Sequence, residues 1–184
     1  GSCVGQLAKL KGCRTIGLTS SEAKVKACYE DFGYDHVINY KTDDIGEALQ
    51  RLCPEGVNVY FDNTAGAISD AVLPHLAVGA RVVICGTASI AQWNPVPLGP
   101  RVERILLTKR ARMQGFLLFD HMDVYELYLE QLANLIRSGL LTYREDITEG
   151  LDSALDAIAS LYRSENLGKR LIALPKPYVV PGLA

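Results

Sequence analysis

Three hydroxyl side chains stand in a row at Thr19, Ser20 and Ser21, and an ammonium follows at Lys24. Residues 14–19 read as a buried strand and residues 24–32 as a helix, so these groups fall in a strand-to-helix turn. Hydroxyls and free backbone N–H groups at a helix start accept an anion, and a lysine one turn further on adds counter-charge. Phosphate binding is the chemistry on offer. A plainer reading makes Ser20 or Ser21 a helix cap and Lys24 a solvated residue; the two are compatible, because a capped N-terminus is where phosphate binds.

Two further clusters follow the most apolar runs, at residues 57–61 and 80–85. Asp62-Asn63-Thr64-Ala65-Gly66 and Cys85-Gly86-Thr87-Ala88-Ser89 combine small and polar side chains, which let a flat ring and a sugar lie close to backbone. In open parallel sheets ligands sit at the carboxyl ends of strands, where both clusters would fall. Gly1 and Gly5, at the start of the first helix, fit the trailing end of a glycine fingerprint for a pyrophosphate, and equally a close helix packing. About 20 residues after such a fingerprint an NAD-binding fold places a carboxylate against the ribose. Here that place holds hydroxyls with Lys24 beyond them, so the expected cofactor is NADP(H).

The composition excludes several other classes. Lysine and arginine number 19 against 21 acidic residues, a net charge of -2, which gives no broad footprint for nucleic acid or an anionic membrane. Cys3, Cys13, Cys28, Cys53 and Cys85 are scattered, with no Cys-x-x-Cys pair, and His36, His75 and His121 do not join them at ligand spacing. No metal site is expected, and the cysteines read as reduced packing residues of a cytoplasmic protein. No apolar run is long enough to span a bilayer.

These groups require elements to carry them. Helical periodicity at residues 4–10, 24–32, 43–53, 67–76, 101–110, 124–138 and 151–164 alternates with strand-like runs at 14–19, 36–40, 57–61, 80–85, 113–119 and 169–174. That alternation predicts an α/β class, a Rossmann-type doubly wound parallel sheet. The chain opens in a helix, so the first strand of the order 3-2-1-4-5-6 would be lacking. The sequence therefore reads as a fragment, with residues 1–174 an NADP-binding domain and the proline-rich run 175–184 a peripheral tail. Gly1-Ser2 reads as native or as an unrelated addition.

The segments GSCVGQLAKLKGC at 1–13, VYFDN at 59–63, KRARMQGF at 109–116 and ENLGK at 165–169 together resemble the medium-chain dehydrogenase/reductase superfamily. More narrowly they resemble its zinc-independent branch of prostaglandin reductases, bacterial curcumin reductases and alkenal/one oxidoreductases. The resemblance runs in order through residue 174. It implies a GroES-like catalytic domain, absent here, ahead of this one, and a fingerprint ending at Gly1-Ser2, which favours a native start. It also implies that Lys24 and Tyr40 hold the adenosine phosphate end, Asn63 the middle of the cofactor, and Cys85, Gly86 and Thr87, with Phe116 and Leu118 on a later strand, the nicotinamide side. Asn166 would close the site.

One departure stands in the loop 90–100, where members often carry Tyr-Asn and this chain has Gln92-Trp93-Asn94. Trp93 offers an N–H but no phenol, so it serves as a stacking cap of a substrate pocket or as a loop anchor. A tyrosine proton donor at that place is put in doubt, and no catalytic residue is named. The resemblance implies a homodimeric enzyme moving hydride from NADPH to an enone or enal. Quinone reduction and a non-catalytic NADP-binding domain are the alternatives. Tyr125, Tyr128 and His121 read as packing or surface residues.

Overall fold

A computed structural model of the chain describes residues 1–174, so the expected tail 175–184 lies outside the described residues. The order is α1 (Ser2–Leu10), β1 (Ile16–Thr19), α2 (Glu22–Glu30), β2 (His36–Asn39), α3 (Ile45–Leu52), β3 (Val57–Asp62) and α4 (Gly66–Val72). It continues with β4 (Leu76–Ile84), α5 (Glu103–Lys109), β5 (Arg112–Gly115), α6 (Tyr125–Arg137), β6 (Glu145–Glu149), α7 (Ala154–Tyr162) and β7 (Lys169–Ala173).

Local chemistry explains the starts. Ser21 takes an extended conformation and its side chain accepts from the Lys24 backbone N–H, while Asp44 caps α3 by accepting from Glu47 N at 2.8 Å. In α3 the buried positions Ile45, Ala48 and Leu49 recur at helical spacing, so one face turns to the core and Arg51 stays outside.

Every strand pair is parallel. The strands fall into three sheets, β1–β2, β3–β4–β5 and β6–β7, rather than the single sheet expected. β1 and β3 do not pair with each other, and each keeps one edge without a strand partner among the described residues. The first two sheets nonetheless share one core. Ile38, Val72, Leu76 and Val82 are its most buried side chains, and Ile16 and Leu18 of β1 pack against it.

Three boundaries differ from the sequence expectation. The helix expected through residue 76 stops early, because Pro74 has no N–H to donate and turns the chain into a short 3₁₀ segment, Leu73–His75. Leu76 then begins β4 fully buried. The strand expected over 113–119 ends at Gly115; Phe116 adds a single bond to Ile84 O, and Leu118–His121 is a 3₁₀ turn. β6 was not anticipated at all.

Candidate cofactor site

Parallel pairing brings the carboxyl ends of β1 and β2 to one edge, and those of β3, β4 and β5 to another. At the first edge Ser20 is buried, and its Oγ lies 3.5 Å from Lys24 Nζ. The same ammonium donates to the carbonyl of Ser164 at 2.6 Å. Burial pulls the Lys24 pKa down, and the nearby charge of Lys41, just past β2, pulls it further. Two cations thus share one edge, and among the described residues neither pairs with a carboxylate. The acids two residues from each, Glu22 and Asp43, are both engaged by Asn39, whose amide donates to Glu22 at 2.7 Å and whose backbone N–H donates to Asp43 at 3.0 Å. Tyr40 is half-buried against the core, and its N–H bonds Thr19 O at 2.9 Å, fastening the end of β2 to that of β1.

Asp62 organises the second edge. It is buried; one carboxylate oxygen accepts from Thr64 N and Ala65 N, each at 2.9 Å, and the other from the Ser69 hydroxyl. Ser69 in turn contacts the Tyr60 phenol at 3.2 Å, whose pKa burial pushes up to about 12. Asp62 O also receives Cys85 N at 2.7 Å and Gly86 N at 3.3 Å. The turns after β3 and β4 are therefore locked together, with Asn63 exposed on top. A side chain on Gly86 would put its Cβ 2.6 Å from Asn63 Oδ1 and 3.1 Å from Asn63 O, so any larger residue must push the Asn63 side chain aside.

Cys85, Gly86, Thr87 and Phe116 line one open hollow of about 400 Å³, together with Leu117 and Asp120. Phe116 stacks on His121, with ring centroids 5.1 Å apart and planes 17° from parallel. Leu118, expected on a strand beside Phe116, belongs to the 3₁₀ turn and does not line the hollow; nor does Trp93, which is 63% exposed in the loop after β4. Asn166 lies between α7 and β7 and donates to Gly168 O at 2.7 Å. Gly1 caps α1, and its carbonyl accepts from Gly5 N and from the Tyr34 phenol.

Lys41, Leu117 and Asp120 were missed from sequence. Lys41 had a signal, since it follows Tyr40 directly at the next strand end; the other two follow only from the turn that replaces the expected strand.

A parallel α/β domain with unpaired cations at one strand edge and a glycine-floored hollow at another belongs to the dinucleotide-binding class of folds. The profile of the zinc-binding dehydrogenase family matches residues 1–134, and the chain belongs to that family. It is 44% identical over 180 residues to YfmJ of Bacillus subtilis (strain 168), a protein named for NADP-dependent oxidoreduction, covering 96% of this chain and 53% of that one. It is 38% identical over 178 residues to the NADP(+)-dependent 2-alkenal reductase of Nicotiana tabacum, covering 96% and 51%. The crystal structure of CurA from Vibrio vulnificus in complex with NADPH superposes with a TM-score of 0.87 at 38% identity, covering 96% of this chain and 54% of that one. The chain thus spans about half the length of these relatives.

The family's description raises the question of zinc, and the residues present do not fit it. Among the described residues no group of three or more His, Cys, Asp or Glu side chains could hold a metal ion.

Proposed function

We propose that this chain is the NADP(H)-binding domain, residues 1–174, of a cytoplasmic, homodimeric oxidoreductase that reduces the carbon–carbon double bond of α,β-unsaturated ketones or aldehydes. The observation that carries the cofactor choice is the Lys24–Lys41 pair beside buried Ser20, without a carboxylate counter-ion among the described residues. A 2′-phosphate supplies the missing negative charge. The name of the Nicotiana tabacum relative, a 2-alkenal reductase, supports the unsaturated-carbonyl class.

When bound, NADPH would supply the hydride that the β-carbon takes up, with a solvent proton going to the α-carbon. The chain's own residues bind and orient. Ser20, Lys24 and Lys41 hold the adenosine phosphate, and Tyr40 flanks them. Asn63 and the backbone of Cys85, Gly86 and Thr87 support the rest of the cofactor, with Phe116 as an apolar wall of the hollow, while Asn166 closes the site from the turn that Lys24 reaches. Their contribution is proximity, since holding donor and acceptor in register removes much of the entropic barrier.

The test is NADPH consumption by the full-length polypeptide carrying this chain, with an enone, an enal and a quinone offered separately and the product identified. Saturated ketone or aldehyde in step with NADPH loss is the expected result. Turnover of the quinone alone, or of none of the three, overturns the reading.

A further inference from the structure

Lys24 makes a contact that phosphate binding does not require. Its ammonium reaches across 140 residues of sequence to the carbonyl of Ser164, at the end of α7. Ser164 has φ 59°, the left-handed conformation that serine adopts at a cost. The helix closes around it through Ser164 N to Leu161 O and Glu165 N to Ser160 O, both 3.0 Å. The turn then runs through Asn166 and Leu167, where Leu167 N donates to Asp146 of β6 at 2.8 Å, and Asp146 is held by Arg170 at 3.1 Å. The 164–168 turn therefore has two anchors. One comes from β6 and is independent of the cofactor; the other is Lys24 itself.

We propose that Lys24 is a positioning residue that couples the adenosine phosphate to the turn bearing Asn166. An ammonium has three donors, so it can hold a phosphate oxygen and the Ser164 carbonyl at once. A bound phosphate fixes the lysine, and the fixed lysine fixes the turn. Free of that constraint, Lys24 gives up its carbonyl bond more often, and the turn keeps only its bonds to α7 and to the β6 segment. The end of α7 favours the arrangement, because a helix C-terminus attracts positive charge and here meets Lys24. NADP(H) and NAD(H) would then differ in how firmly Asn166 is set as well as in affinity.

The inference rests on Lys24 as the phosphate ligand, and amide hydrogen exchange separates the two claims. NADP⁺ and NAD⁺ differ only by the phosphate, and each is added at concentrations that saturate the full-length polypeptide carrying this chain. Exchange in 163–168 is expected to slow several-fold with NADP⁺ and much less with NAD⁺. Lys24→Arg keeps the response and Lys24→Met abolishes it, while Lys41→Met weakens binding yet leaves the response intact at saturation. If NADP⁺ binds no more tightly than NAD⁺, the phosphate reading falls and the coupling with it. If NADP⁺ binds more tightly but both cofactors protect the turn equally, the coupling alone is overturned. Should Lys24→Met fail to fold, the comparison of the two cofactors on the unaltered chain still decides.

Discussion

Gln6 and Thr142 pair in both directions across 136 residues: the Gln6 amide donates to Thr142 O at 2.9 Å, and Thr142 N donates to Gln6 Oε1 at 2.8 Å. The side chain of a buried helical residue thus replaces a strand in satisfying backbone just ahead of β6. Thr142 Oγ1 extends the link to Asp31 O at 2.8 Å, past the end of α2.

Gln6→Leu removes one partner of this pairing and leaves the other unmatched. Thr142 is exposed, so a loss of about 0.5–1.5 kcal/mol in urea unfolding is expected. An unchanged midpoint would show that water replaces the amide at no cost.

Gly86→Ala places a methyl group against Asn63 and displaces it from the turn. Cofactor affinity is expected to drop roughly tenfold or more, from the approach lost at the glycine. Stability should change little, because Gly86 lies outside the buried core. Titration and unfolding of the same variant check both halves, and full affinity would contradict the role given to this glycine.

The Asp35 carboxyl is held down to about 2, first by its hydrogen bond from Lys9 and next by Thr15 N, at 2.8 Å each. The unfolded value is about 3.9. A depressed folded value gives stability that is present above about pH 4 and is lost as pH falls toward 2. The side chain is 30% exposed, so screening leaves about 1 kcal/mol. Unfolding of Asp35→Asn beside the unaltered chain should show that difference near neutrality and its disappearance in acid; a difference that grows in acid would reverse the sign.

Ser164→Gly relieves the left-handed conformation at the end of α7. A gain of about 0.5–1 kcal/mol is expected, the relief exceeding the extra freedom of glycine in the unfolded chain. A loss would mean that the serine side chain contributes more than its backbone costs.

What was legible in sequence was local. Ser21 announces a helix start through its short polar side chain, and the apolar run ahead of Asp62 announces β3, because such signals act within a few residues. β6 escaped notice because Glu145-Asp146-Ile147-Thr148-Glu149 carries no apolar face; β7, more than twenty residues further along, makes it a strand. Phe116 to Phe119 reads as strand by residue type, yet Gly115 ends the ladder and the chain turns to wall the hollow. Gly1 and Gly5 carried two readings, and packing explains one: a Cβ on Gly5 would sit 2.1 Å from the Tyr34 ring. Lys24 was legible as a charge near a helix start, while its bond to Ser164 depends on a loop 140 residues away.

The most direct test of the cofactor assignment is a fluorescence titration of NADPH and NADH on the full-length polypeptide carrying this chain, unaltered and as Lys24→Ala. NADPH should bind at least about tenfold more tightly than NADH, and the variant should lose roughly tenfold to hundredfold of its NADPH affinity while its NADH affinity stays level. Equal affinity for the two cofactors, or a variant that loses nothing for NADPH, would contradict the account.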